Sequence, residues 1–514
     1  MKRKLYSILS LLLISVMLFS LASCAMNFDA AAPNHKGEEN LAPGDNFLNG
    51  MPEMAPMDPD AADKEENGNT FVENPFVNTA NSNVSTLSAD VDTASYTYFR
   101  KLVNSGYSWA ELSRYSSNFR TEEFLNYFKY TAEQPNENEL FAVNPSIIPC
   151  PWNEKNVLLT MTLQAANAAP TEGNNLVFLI DVSGSMSSKD KLPLLKTAFS
   201  HLVDQLGEND VISIVTYSGQ EAVVLDGCSG NKKENILAAI NSLVASGSTN
   251  GQAGLQKAYQ LAEKHRIEGG NNRIIMASDG DLNVGITSES ELKAFITAKR
   301  DAGIFLSVLG FGTGNYRDSK METLADNGNG VYLYIDGESE AEKVFSTDLL
   351  GNLYTVAKDV KMQITFDVAY VSSFRLIGYE NRILNEEDFT DDTKDAGEVG
   401  AGHTLTVCYE IKLTDTEIAE DGKIANLAVR WKNPGESESV LREYAIGKAQ
   451  ITDTMNDDAL LAAAIVETAM LLHNSRYMGN SSLDNVLALL GDMQEKDFYV
   501  QEFEGLIRTL KRSE

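Results

Sequence analysis

Between residues 174 and 353 one unit recurs: a short apolar run, a polar loop, then an amphipathic stretch long enough for a helix. The run 176–180 leads into 191–206, where Leu192, Leu195, Phe199, Leu202 and Leu206 fall on one helical stripe. Strands follow at 211–216, 273–277, 304–309 and 331–335, and helices at 231–244, 251–265, 290–302 and about 338–353. Strands this short and this uniformly apolar have no face for water, and strands joined through helices do not pair as hairpins. The pattern predicts an α/β fold with a doubly wound, mostly parallel sheet covered by helices on both faces.

Strand signals return on both sides of this unit. Residues 141–166 alternate, as in Val157-Leu158-Leu159-Thr160-Met161, and so do 360–368, 374–378, 404–413 and 427–431, with an acidic loop at 385–398. The simplest arrangement is a β-sandwich, 136–171 and 357–450, into whose sequence the α/β domain, 172–356, is inserted. Residues 76–135 read as a helical flanking region, with Tyr96, Phe99, Leu102 and Val103 spaced for one face and Phe124, Leu125, Tyr127 and Phe128 for another. Residues 451–514 read as a helical C-terminal segment by their Ala and Leu content and period.

The first 23 residues have the layout of an export signal: Lys2, Arg3 and Lys4, then an apolar run short for a spanning helix. The run ends Leu21-Ala22-Ser23-Cys24, which resembles the bacterial lipobox. That resemblance implies cleavage before Cys24 and lipid attachment there, so that the chain is exported and anchored to the cell membrane or an outer membrane. Residues 24–75 then form the lipidated Cys and a solvated acidic linker, with eleven acids against two lysines between residues 25 and 75. The whole chain has 73 acidic residues against 42 Lys and Arg, a formal charge of -31, so it lacks the phosphate-neutralising term of nucleic-acid binding. Cys150, Cys228 and Cys408 make neither a zinc spacing nor an even-numbered framework and read as small buried hydrophobes.

An open α/β sheet binds ligands at the carboxyl ends of its strands. The loop Asp181-Val182-Ser183-Gly184-Ser185 places oxygen-bearing side chains two apart, Thr249 sits in the glycine-flanked loop Gly247-Ser248-Thr249-Asn250-Gly251, and Asp279 follows a strand in Ser278-Asp279-Gly280. Hydroxyls and carboxylates without His or Cys suit Mg²⁺, Mn²⁺ or Ca²⁺ and not zinc. Two Asp balance a divalent ion, and neutral hydroxyls leave it electrophilic toward a carboxylate from a partner.

Asp181, Ser183, Ser185, Thr249 and Asp279 together resemble the metal-ion-dependent adhesion site of von Willebrand factor type A domains. The resemblance covers about residues 172–356. It implies a six-stranded sheet with one antiparallel edge strand, for which residues 222–225 are the candidate, with Ser183, Ser185 and Thr249 offering hydroxyls to Mg²⁺ and both Asp acting directly or through water. Four further stretches resemble a family of bacterial surface lipoproteins built around this domain: residues 87–96 (Leu-Ser-Ala-Asp-Val-Asp-Thr-Ala-Ser-Tyr), 124–128 (Phe-Leu-Asn-Tyr-Phe), 149–152 (Pro-Cys-Pro-Trp) and 378–382 (Gly-Tyr-Glu-Asn-Arg). The family implies an architecture and a binding site, and names no ligand.

Other motifs are better explained by structure. Asp90-Val91-Asp92 resembles a phosphotransferase loop, but Ala94 stands where Thr or Val is needed and 85–88 is not an apolar strand, so a helix N-cap at Asp92 or Thr93 is expected. In Gly310-Phe311-Gly312-Thr313-Gly314, Asn315 replaces the third glycine of a dinucleotide fingerprint, leaving a tight turn. His201 and His265 read as helix-surface residues and Trp152 as core. With no nucleophile or acid/base pair in a motif, the reading is a protein-binding, adhesion-type lipoprotein and not an enzyme. Its partner is a protein with an exposed Asp or Glu. The alternative is an envelope assembly or scaffold protein whose metal site is mainly structural.

Overall fold

The apolar run at 176–180 lies within a strand, Asn174–Asp181, whose every residue is buried. It runs parallel to Val211–Tyr217 on one side and to Asn271–Ser278 on the other. A computed structural model describes residues 72–167, 172–247, 251–280, 289–312 and 318–513. In it the central sheet has six strands, in the order Tyr332–Ile335, Phe305–Phe311, Asn271–Ser278, Asn174–Asp181, Val211–Tyr217 and Glu221–Ser229. Only Glu221–Ser229 is antiparallel to its neighbour, and it extends beyond the expected 222–225.

Successive side chains point to opposite faces of a strand, and the two faces feed two cores. Val177, Leu179, Val215 and Met276 pack with Leu255, Ala258 and Tyr259 of the helix Gly251–Lys264. Leu176, Phe178, Ile180 and Ile214 pack with Leu195, Phe199 and Leu202 of the helix Leu192–Gln205. The expected doubly wound sheet is present.

Sandwich strands occur in sequence before and after this sheet. One sheet orders Val77–Asn78, Val371–Ile377, Thr404–Leu413, Val157–Ala165 and Phe141–Pro149. The other orders Ile383–Leu384, Val84–Ser88, Thr355–Phe366, Lys423–Lys432 and Ser439–Gly447, with Gly397–Gly400 also paired to Thr355–Phe366. Between them lies a core including Leu87, Leu159, Met362, Tyr409 and Trp431.

Two readings of the flanking region are corrected here. Residues 76–135 are not purely helical, because Val77–Asn78 and Val84–Ser88 join the sandwich. The stretch 85–88, expected to be no apolar strand and to begin a helical pattern, lies inside a polar one because its hydroxyls find partners: Ser85 Oγ lies 3.0 Å from Tyr409 Oη, and Thr86 Oγ1 accepts from Gln363 Nε2 at 3.0 Å. The helix that follows, Ala94–Asn104, has Thr93 at its N-cap without a side-chain cap bond. Asp92 instead accepts from the backbone N–H of Tyr332 at 2.9 Å, tying the flank to the central sheet.

The last helical stretch of the α/β domain, expected as one helix, is broken into Glu338–Glu342, a π turn at Lys343–Thr347 and Leu349–Leu353. Lys343 Nζ reaches Asp348 at 2.6 Å across the break. Arg100, 3% exposed, clamps this stretch from the flank. Its guanidinium donates to Asp336 at 2.6 and 2.7 Å, to Glu340 at 2.7 Å, to Tyr127 Oη at 2.6 Å and to Glu502 of the C-terminal helices at 2.9 Å. Those helices, Asp457–Leu472, Leu483–Asp492 and Phe498–Lys511, each begin at a side-chain cap, Asn456, Ser482 and Asp497. Among the described residues no helix is long and apolar enough to cross a membrane.

Candidate metal centre

Parallel register brings the loop residues together. Ile180 pairs with Ala277, so Asp181 and Asp279 leave adjacent strands at the same edge of the sheet. Asp181 is fully buried and Asp279 is 1% exposed. Asp181 Oδ1 accepts from the backbone N–H of Ser183 at 2.8 Å, which folds the loop back over the carboxylate, and Ser183 Oγ lies 3.0 Å from Ser185 Oγ. Ser278 Oγ approaches Asp181 Oδ2 at 3.5 Å and accepts from Gly280 N at 3.2 Å. Gly280 has φ +95°, a conformation that glycine takes without strain.

The loop before Thr249 is stitched to the first loop by two backbone bonds, Ser246 N to Val182 O at 2.7 Å and Gly184 N to Gly247 O at 3.0 Å. Thr249 lies outside the described residues, as does Cys24. Burial is the main cause of an Asp181 carboxyl pushed up to about 6, with the charge of Asp279 adding to it. A divalent cation suits this donor set: buried hard oxygens and paired hydroxyls facing one another, with no His or Cys among them. Asp181, Ser183, Ser185 and Asp279 are the residues that would hold it.

One neighbour was not foreseen. Lys191, at the start of the helix Leu192–Gln205, places its Nζ 2.8 Å from Asp279 Oδ2, and its side chain is only 11% exposed. Nothing in the local sequence marks it, because its partner is 88 residues away.

A second acidic cluster lies where the flank, the central sheet and the sandwich meet. The carboxylates of Asp90, Glu123 and Glu322 all lie within 4.8 Å of one another. Arg120 bridges Glu123, at 2.8 Å, and Glu322. Arg382 reaches Asp90 at 3.2 Å, Asp326 at 3.2 Å, Glu322 at 3.4 Å and Asp92 at 3.9 Å. Here the chain supplies two guanidinium groups, so the cluster is an ion-pair junction. Three of the sequence stretches singled out above converge on it. Asp90 and Asp92 come from 87–96, Asn126 of 124–128 donates to Asp90 O at 2.8 Å, and 378–382 supplies Arg382 and Tyr379, whose N–H donates to Glu122 at 2.8 Å. Gly378, at φ +77°, has no room for a side chain, since a Cβ would sit 2.9 Å from Glu122 Oε2.

The other candidates are structural. Trp152 is 1% exposed and donates to Glu410 at 3.1 Å, and Cys150 and Cys408 are buried and unpaired. Cys228 is half-buried and also unpaired. His265, 23% exposed, meets Asp226 at 2.6 Å.

Fold and loop arrangement define a von Willebrand factor type A domain protein, and the family description "von Willebrand factor type A domain" matches residues 175–347. Such domains are interaction modules as a class. The descriptions "von Willebrand factor" and "Uncharacterized protein YfbK, C-terminal" match residues 62–160 and 351–512. The chain is 40% identical over 441 residues to the protein YfbK of Escherichia coli (strain K12), covering 81% of this chain and 76% of that protein, and it belongs to the YfbK family. It is also 25% identical over 273 residues to human inter-alpha-trypsin inhibitor heavy chain H3, covering 50% of this chain and 30% of that protein. Among solved structures, a von Willebrand factor type A protein from Catenulispora acidiphila aligns with a TM-score of 0.43 at 16% identity, over 75% of this chain and 91% of that one.

Proposed function

We propose that this protein binds a protein partner through a divalent cation at the loops of Asp181, Ser183, Ser185, Thr249 and Asp279, with an Asp or Glu of the partner completing the coordination. The observation that carries the reading is the meeting of two buried carboxylates with the facing hydroxyls of Ser183 and Ser185 at the carboxyl edge of the sheet. A cation held there supplies a Lewis-acidic position for an incoming carboxylate. The protein's part is to hold the oxygens in place, through the Ser183 N–H on Asp181 and the backbone bonds between the loops, before any cation arrives.

The amino-terminal features support placing this activity at the cell surface, with Cys24 lipidated and the acidic linker as a spacer. Incorporation of a labelled fatty acid into the wild type and not into Cys24→Ser tests that part. For the site, calorimetric titration with Mg²⁺, Mn²⁺ and Ca²⁺ compares the wild type with Asp181→Ala. Binding lost in a variant whose circular dichroism is unchanged is the expected result. Equal affinity in the two proteins removes the site assignment, and partner capture that survives chelation moves the scaffold role ahead.

A further inference from the structure

Lys191 lies in the site and has no part in the five-residue motif. Its ammonium sits 2.8 Å from Asp279 Oδ2, and its stem runs flat across Gly312, where a Cβ would stand 2.3 Å from Lys191 Cε and 2.9 Å from Cγ. Gly312, at φ +73°, is itself held, because Tyr334 Oη donates to its carbonyl at 2.8 Å. Tyr334 in turn packs edge-on against Tyr98 of the flanking helix, with ring centroids 5.6 Å apart. The lysine is thus seated in a slot that only a glycine leaves open. The adjacent acid, Asp190, is taken by Ser188 at 2.6 Å and Lys101 at 3.4 Å, so it does not draw Lys191 away.

Charge counting gives this placement a consequence. Two carboxylates alone would neutralise a divalent cation and leave a loaded site with no net charge. With the ammonium beside Asp279, the three groups Asp181, Asp279 and Lys191 together carry one negative charge before loading and one positive charge after it. A neighbouring like charge in a water-poor site weakens cation binding, and the surplus positive charge strengthens binding of an anion.

We propose that Lys191 is a specificity-determining residue of this site, a tethered cation that moderates divalent-ion affinity and gives the loaded loops the positive charge that selects an anionic group on the partner. The proposal rests on the metal-binding reading above. Mn²⁺ alone serves as the first probe, by calorimetry on the full chain, and acetate as the second, by relaxation of its methyl protons near bound Mn²⁺. In Lys191→Met, Mn²⁺ binds about tenfold tighter or more, while acetate affinity of the loaded protein falls about tenfold. Lys191→Arg stays close to wild type in both, and unchanged near-ultraviolet circular dichroism verifies the fold of each variant.

Mn²⁺ affinity that is unchanged or weaker in Lys191→Met overturns the proposal, and so does acetate that binds both loaded proteins alike or neither. The two readings fail differently. If the wild type does not bind Mn²⁺, the metal site falls and the role of Lys191 with it. If the wild type binds, Asp181→Ala does not and Lys191→Met matches the wild type, the site stands and only the role of Lys191 is removed.

Discussion

Two of the carboxylate clusters among the described residues, the junction and the sheet edge, differ in who supplies the positive charge. At the junction, Asp90, Asp92, Glu123, Glu322 and Asp326 close on Arg120 and Arg382, which are parts of the chain. At the sheet edge, Asp181 and Asp279 meet one ammonium and a set of hydroxyls. A guanidinium with several fixed donors locks three regions of the chain together, whereas hydroxyls bind a small hard cation and release it. Counting acids would rank the junction as the better metal site. What separates the two is the chemistry of the groups between the carboxylates.

The largest effect expected from this difference comes from removing one of the junction's two cations, Arg382. Arg382→Ala leaves Asp90, Asp92, Glu322 and Asp326 without it, and breaking a buried ion pair costs about 3–5 kcal/mol. A fall of that size in denaturant-unfolding stability is expected, with Mn²⁺ binding retained under conditions where the variant is folded. A variant as stable as wild type would show that the junction tolerates its own charge and would dissolve the contrast.

On the proposed reading, the sheet-edge cluster takes from outside the positive charge that the junction holds within. Saturating the protein with divalent ion at about 100 times its dissociation constant stabilises it by about 2.7 kcal/mol. Thermal unfolding with and without Mn²⁺ measures this, and the increment is absent in Asp181→Ala. An increment that survives in that variant places the ion elsewhere.

A third kind of carboxylate, with neither arrangement, sharpens the comparison. Glu467 is fully buried in the helix Asp457–Leu472, and neither of its oxygens has a partner in hydrogen-bond geometry, the Ser481 hydroxyl and Ser482 N–H being the nearby donors. Burial pushes its carboxyl up to about 7. Its folded-state value lies above its unfolded one, so the folded state keeps a proton the unfolded state has lost, and stability falls as pH rises from about 4.5 through 7. Glu467→Gln is expected to be about 3 kcal/mol more stable than wild type at pH 8, with the gain gone below about pH 4.5. Taking the difference between the two stability curves cancels the buried histidines His403 and His473, whose lowered values, about 4, act in the opposite direction. Parallel curves would show that Glu467 ionises inside without penalty.

The sheet was legible because period and run length are local properties: the residues at 176–180 and 192–206 carry their strand and helix signals within a few positions of one another. The strand Val84–Ser88 was not legible, since Ser85 and Thr86 look like turn residues until Tyr409 and Gln363, more than 270 positions away, satisfy their hydroxyls. Ser439–Gly447 escaped for another reason. It is an edge strand with Leu441, Arg442 and Glu443 exposed, so half-burial left no clean alternation to read. The N-cap expected at Asp92 or Thr93 falls at Thr93, within the local signal, whereas only the tertiary structure brings the Tyr332 N–H within reach of Asp92.

By itself the sequence determined the class of fold, and it pointed to the sheet edge and to the oxygens of Asp181, Ser183, Ser185, Thr249 and Asp279 as the proposed site, because each of the three strand-end loops carries its signal within a few positions. Only the tertiary structure decided which charges stand beside them. Lys191 reaches Asp279, and Arg382 reaches Asp90, because a lysine or arginine stem spans several ångströms in any direction and its partner is chosen by packing. Electrostatic energy depends on distance in space, and the order of residues along a chain fixes that distance only once the chain has folded.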